Sequence, residues 1–327
     1  MANPTPADLH VVNIPLTNLS VAWIQADTNF IATRAFPIVP VQQQSNRYYK
    51  YDRSEWNRAE AQLRAPATES AGSGWTLSTD TYLADVWAVH KDNSAQDYAN
   101  ADTVFNLDQE AAQWVSLQML LRQDLQFLAK YFGTGIWTTD QTGVASAPST
   151  NQFLQWNVTN STPITDIRAQ ITNIALRTGG YRPNTLILGP QVYQVLIDHA
   201  TIIGRIQYTQ TGIVTEDVLA RLFGVERILV PWGVQNTAAE GATETSAFLY
   251  GKSALLVYSA PNPGLRTMSG GYTFAWTGYA PGASNLGTSI SRFDIPEKKV
   301  TRIEGESAFD MKVVDSAAGV FFASAVA

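Results

Sequence analysis

The chain has 327 residues, a length that fits about two domains. Its 22 Lys and Arg face 28 Asp and Glu, a net charge of −6, which is the wrong sign for a protein that grips nucleic acid through its phosphates. There is no cysteine, so disulfides and thiolate zinc sites are excluded.

Charged residues are 15% of the chain and hydrophobic residues 45%. That charge fraction lies well below the usual quarter and fits either a surface that meets other protein or a large buried core. No apolar run approaches the ~18 residues needed to span a membrane. The opening "MANPTPADLH" lacks the basic and apolar regions of a signal peptide. The expectation is a soluble protein made in a reducing cytoplasm, without a membrane partner.

Residues 1–46 read as an arm. Pro4, Pro6, Pro15, Pro37 and Pro40 break any long helix. Trp23, Ile24, Phe30, Phe36, Ile38 and Val39 nonetheless need cover, from the rest of this chain or from a neighbouring one.

Residues 47–91 read as a long hairpin, with "RYYKYDRSEW" and "YLADVWAVHK" alternating as strands do. Between them, "NRAEAQLRAPATESAGSGW" has the Pro, Ser and Gly of a mobile tip. A two-stranded ribbon is marginal alone in water, so it should rest on another surface. Arg47, Lys50, Arg53, Arg58 and Arg64 interleave with Asp52, Glu55 and Glu60. They form either a solvated ribbon or charge pairs with a neighbouring subunit. Interleaved acids argue against a nucleic-acid patch.

The stretch Asn106–Phe132 is predicted to be one long helix. Asn106 caps it, Gln109 stands at the capping-box position, and Asp108, Glu110 and Lys130 suit the helix dipole. Leu107, Ala111, Trp114, Leu117, Leu121, Leu125, Leu128 and Phe132 form an apolar stripe, widened by Val115, Leu120, Phe127 and Tyr131. At ~1.5 Å per residue the rod is about 40 Å long. It reads as a spine for other elements or as an ordinary core helix.

Residues 133–162 are rich in Thr, Ser, Gly and Asn and mark a boundary between two domains. Residues 163–289 read as an α/β domain, with helices after Pro163, Pro190 and Thr215 and short buried strands such as "NTLILG". Residues 290–327 add further strands, expected to return to the spine's domain.

Nothing along the chain needs its neighbours for chemistry. His10, His90 and His199 lack metal-ligand spacing. No G-x-S-x-G elbow, Walker loop or dinucleotide fingerprint occurs. The acidic pair Glu216 and Asp217 suits a helix start, and Glu304 with Glu306 suits a solvated strand edge. No catalytic, cofactor or metal site is expected, and an enzyme built on the α/β domain is disfavoured.

The segments "ATRAFPIVPVQQQSNRYYKYDRSEWNR" and "ALRTGGYRPNTLILGPQVYQVLIDHATIIGRIQYTQTGIVTEDVLARLFGVERILVP" resemble tailed-phage major capsid proteins of the Hong Kong 97-like fold. The resemblance implies an α+β fold. Its parts are an N-terminal arm (1–46), an extended β-hairpin loop (47–91), a peripheral domain (92–162 and 290–327) carrying the spine helix 106–132, and an α/β axial domain (163–289). It implies a non-enzymatic shell subunit that forms hexamers and pentamers in an icosahedral capsid, assembled in the host cytoplasm around DNA contacted non-specifically. A portal protein at one vertex and separate scaffold or decoration proteins are the other implied partners. An encapsulin-type shell is the alternative.

Candidate inter-subunit contacts are Trp23, Phe36, Arg47, Lys50, Asp52, Arg53, Glu55, Trp56, Arg58, Arg64 and Trp87. Two departures from the family are expected to matter. The tip Arg58–Trp75 has no Lys for an isopeptide staple, Lys50 and Lys91 lying near its base. No long charged segment precedes the arm, so no maturation cleavage is expected.

Overall fold

The computed structural model describes residues 25–51, 53–101, 106–207, 214–264, 266–279 and 287–327. Along them run α1 (Ala32–Ala35), β1 (Ile38–Val41), β2 (Ser45–Tyr51), α2 (Arg53–Trp56), β3 (Leu77–Leu83) and β4 (Asp85–Ser94). Next come α3 (Ala95–Asn100), the spine helix α4 (Leu107–Tyr131), β5 (Thr139–Val144), β6 (Gln152–Leu154), α5 (Pro163–Thr178) and β7 (Thr185–Leu188). Then follow α6 (Pro190–Ile197), α7 (Ala200–Ile206), α8 (Glu216–Phe223), β8 (Arg227–Leu229), β9 (Val234–Asn236), β10 (Ser246–Phe248) and β11 (Ala254–Val257). The chain closes with β12 (Gly271–Trp276), β13 (Thr288–Ile295), β14 (Val300–Val313) and β15 (Gly319–Ala323).

The spine helix forms where the sequence places it. The Asn106 side chain accepts the Gln109 amide, Lys130 sits in the last turn, and Phe132 ends the helix before Gly133. Its buried face matches the predicted stripe only in part, at Ala111 and Phe132 and at the widening residues Val115, Phe127 and Tyr131. Ala111, Val115, Met119, Gln123, Asp124, Phe127 and Tyr131 are buried, while Trp114 is 43% exposed and Leu117, Leu121, Leu125 and Leu128 are only half-buried. Apolar residues wrap most of this helix, so a three-to-four spacing fits more than one stripe. Packing chooses between them. Gly305 of β14 lets Val115 come so close that a Cβ there would lie 2.3 Å from its Cγ1. Two polar residues sit on the buried face: Gln123 donates to Ser307 Oγ at 3.2 Å through its amide nitrogen, and Asp124 is bonded to the arm.

β14 organises the sheet on the spine. Val300–Ser307 are flanked by β13 and β4, and Phe309–Val313 pair with β12. β1 then adds to β12 in parallel. The second sheet has six strands in the order β6-β5-β15-β11-β7-β8. Sheet membership therefore crosses the sequence boundary expected at 289/290. β12 hydrogen-bonds into the spine's sheet, and β15 lies between β5 and β11. Helices α5 to α8 enclose one core over this second sheet, with Ile164, Ile167, Ile174, Leu196, Ile202, Leu219 and Phe223 buried.

One further expectation is corrected, and one open alternative is decided for the described residues. The return strand of the hairpin is not 82–91. Leu83 ends β3, Ala84 is fully buried, and Asp85 opens β4, which pairs with β14 instead. The hand-over is fixed by Ala84 N–H donating to Gln44 O at 2.8 Å and Leu83 N–H to Asp310 Oδ2 at 3.0 Å. The hairpin proper is β2 with β3, in the register Ser45↔Leu83 to Tyr51↔Leu77. The described part of the arm also finds its cover within this chain. Phe30, Ile31 and Phe36 are buried, and Ile38–Val41 join β12.

Candidate assembly interface

The hairpin has two unlike faces, because alternate residues of a strand point to opposite sides. On one face Tyr48 and Tyr82 lie over Phe274 of β12, with centroids 5.4 and 4.6 Å away, the second pair stacked. Tyr48 also donates to Asp80 Oδ2 at 2.9 Å, and burial with this acidic partner pushes its phenol well above the ordinary range.

The opposite face, by register, carries Leu83, Tyr49, Tyr51 and Leu77, and it ends in an aromatic cluster. Tyr51, Trp56 and Trp75 meet with centroids 5.4 to 6.1 Å apart. Tyr49 is 66% exposed, Trp56 53% and Trp75 52%. Beyond the cluster every residue from 61 to 79 is exposed, Leu63 completely.

Most charges at the root and tip of this loop are paired within the chain. Arg53 donates to the carbonyl of Arg177 at 2.7 Å and lies 3.3 Å from Asp315, which ties the root to the C-terminal end of α5. A cation at that end suits the helix dipole. There Gly179 turns with φ +74°, and a Cβ on it would meet the Asn57 amide at 2.5 Å. Glu55 accepts the hydroxyl and the amide of Thr76. Lys50 lies 3.9 Å from Asp80, and Arg58 3.4 Å from Glu60. Arg64 Nε donates to Thr68 O inside the tip. Such exposed pairs contribute about 1 kcal/mol or less each, so the apolar face is the larger source of free energy for a partner.

The candidate residues thus separate into groups. Trp23 and Asp52 lie outside the described residues. Phe36 is turned inward, its ring 4.6 Å from Tyr131 and 5.9 Å from Phe127, so it is spent on this chain's own core. Trp87 is half-buried, with the Arg122 guanidinium 3.7 Å above its ring. Trp56 and Arg47 stay open, with Lys50, Arg53, Glu55, Arg58 and Arg64 around or beyond them. Tyr49, Trp75 and Leu77 complete the exposed stripe; their alternation with polar residues was the sequence signal for them.

Asp124 escaped the sequence reading. It is fully buried in the spine helix, accepting from Ile31 N at 3.1 Å, Ala32 N at 2.8 Å and the Tyr250 hydroxyl at 3.1 Å. Among the described residues no group of three or more His, Cys, Asp or Glu is placed to hold a metal ion. No described helix is long and apolar enough to cross a membrane.

No protein-family model matches the chain. Two curated relatives do. One is the major capsid protein of Burkholderia phage BcepMu, 27% identical over 252 residues, covering 76% of this chain and 77% of the relative. The other is the major capsid protein of Pseudomonas phage JBD67, 24% identical over 95% of this chain and 96% of the relative. Among solved structures, a phage-related protein from Bordetella bronchiseptica RB50 superposes with a TM-score of 0.67 at 20% identity, covering 92% of this chain and 94% of that one. The capsid of cyanophage P-SCSP1u gives 0.60 at 13% identity over 98% and 99%.

The fold is therefore the α+β fold of Hong Kong 97-type phage capsids. Fold and homologues together support a tailed-phage major capsid protein, as the sequence resemblance implied.

Proposed function

We propose that this chain is the repeating subunit of an icosahedral shell enclosing the double-stranded DNA of a tailed bacteriophage. The observation that carries the reading is the two-faced hairpin. One face is packed on β12, and the other presents Tyr49, Trp56, Trp75 and Leu77 to solvent around a half-buried Tyr51. Contiguous exposed apolar surface of this kind marks a protein-binding site. In this reading its partner is a neighbouring copy in a hexamer or pentamer, since closed symmetric assemblies bury such surface on every subunit. Obligate interfaces of this sort bury on the order of 2,000–5,000 Å².

In the same reading the spine with the sheet of β1, β12, β14, β13 and β4 forms the peripheral domain, and the six-stranded sheet with α5 to α8 forms the axial domain. A portal protein takes one vertex, and separate scaffold or decoration proteins are further partners. DNA is enclosed and contacted without sequence preference rather than gripped through its phosphates, which fits a net charge of −6. Assembly takes place in the host cytoplasm, and the subunit has no catalytic role. An encapsulin shell is the less supported alternative. The encapsulin complex from Synechococcus elongatus PCC 7942 shares the fold at a TM-score of 0.51 and 12% identity, whereas both curated relatives are phage proteins.

Electron microscopy of the expressed protein tests the first claim, and closed particles are expected. Particles from infected cells should hold nuclease-protected DNA. Protein cargo in its place would move the reading to the encapsulin alternative, and a protein that stays monomeric at high concentration would end both.

A further inference from the structure

His199 stands at the N-terminus of α7, and its two ring nitrogens face different partners. Nδ1 lies 3.2 Å from the Thr201 amide and 2.8 Å from the Thr201 hydroxyl. Nε2 lies 3.0 Å from Ser161 Oγ. A backbone N–H only donates, so Nδ1 must carry a lone pair. Ser161 spends its own proton on the Trp156 carbonyl at 3.1 Å, so its oxygen must accept from Nε2–H. Ser161 and Trp156 are each 1% exposed, and the Trp156 indole N–H is bonded to Asp166 at 3.2 Å. All bonds are satisfied by one species, the neutral imidazole with its proton on Nε2.

We infer that His199 is an acid-sensitive fastener, whose protonation removes the cap of α7 and loosens that helix from the core beneath it. A proton on Nδ1 would set two donors face to face. The Thr201 hydroxyl can rotate to accept it, but the Thr201 amide is left without its acceptor. α7 matters to the core because it carries Ile202 and Ile206 into it.

Burial lowers the affinity of the ring for a proton. The ionisable groups on the elements around it are Arg205 on α7 itself, Tyr193 on α6 with Asp198 at its end, and Arg168, Arg177 and Asp166 on α5, the last held behind the Trp156 indole; the 156–162 segment has none. The sign follows from the depressed folded-state value. The cap's contribution is present above the ordinary imidazole range and is lost as the pH falls through the folded value.

The test uses the full-length protein. Its three histidines give a simple spectrum after ¹⁵N-histidine labelling, and at neutral pH the His199 signals should show the proton on Nε2. Hydrogen exchange of the 199–207 segment, corrected for intrinsic rates, should lose about five-fold in protection between pH 7 and pH 5. In His199→Asn, where the amide oxygen caps without titrating, protection should not change over that range. A proton on Nδ1 in the wild type, or protection independent of pH, overturns the inference. An equal loss in wild type and variant overturns it too. Should the variant fail to fold, the wild-type spectrum and exchange curve decide alone.

Discussion

Asp124 on the spine helix holds the backbone of Ile31, accepting its N–H at 3.1 Å while also taking that of Ala32 at 2.8 Å. These are the first amides of α1, so a carboxylate distant in sequence does the work of an N-cap. Burial pushes this carboxyl up to about 6, against the pull of the two amides, the Tyr250 hydroxyl and the nearby Arg34. A folded value above the ordinary 3.8 stabilises the docked arm fully below that ordinary value. The stabilisation is lost as the pH rises through about 6. The difference amounts to about 3 kcal/mol.

Asp124→Asn keeps an acceptor and loses the titration. Relative to it, the wild type should lose stability between pH 4 and pH 7, read as a falling melting temperature. Parallel pH curves for the two proteins would refute this. Asp124→Ala should cost about 2–4 kcal/mol at neutral pH, because it strands two amides and a phenol.

Trp56 and Trp75 are spread on the surface, so removing them should spare the fold. Trp56→Ser with Trp75→Ser should change the unfolding free energy by less than about 1 kcal/mol yet abolish closed particles in negative-stain micrographs. Replacing 59–74 by a short Gly-Ser turn should act alike, since nearly all of that stretch is exposed. Normal particles from either protein would remove the hairpin from the interface.

Gly305 and Val115 make a contact that admits no side chain on the glycine. Gly305→Ala should destabilise by about 1–3 kcal/mol through overpacking. Adding Val115→Ala should recover part of that loss, a coupling measurable in a double-mutant cycle of denaturant unfolding. Purely additive effects would show that the helix shifts freely on β14.

The exposed tip has no lysine, and Lys50 is engaged with Asp80 near the root. Shells boiled in detergent should therefore run as a single band at the mass of one subunit. A ladder of multiples would reveal a covalent staple between subunits.

Local signals in the sequence were enough for the spine's two ends, since Asn106, Lys130 and Gly133 act over one turn each. The strands β2 and β3 also precede the spine helix, as the order of patterns along the chain suggests. What escaped was whatever depended on partners remote in the chain. The alternation through Leu83 and Val86 reads as one strand, because nothing local reports that Asp310 and Gln44 divide it at Ala84. The spine's buried face was only partly legible for the same reason, its centre being chosen by Gly305 and Ser307 some 180 residues away. Nothing local singles out Asp124, because its partners belong to the arm and to Tyr250.

β15 sits between β5 and β11, with Val320, Phe321 and Phe322 all buried. Until Ala323 has emerged from the ribosome, β5 and β11 each lack the neighbour that joins them, and the six-stranded sheet stays open. The six-stranded sheet can therefore close only after β15 has been made, so this core is completed late in synthesis whatever the state of the helices over it.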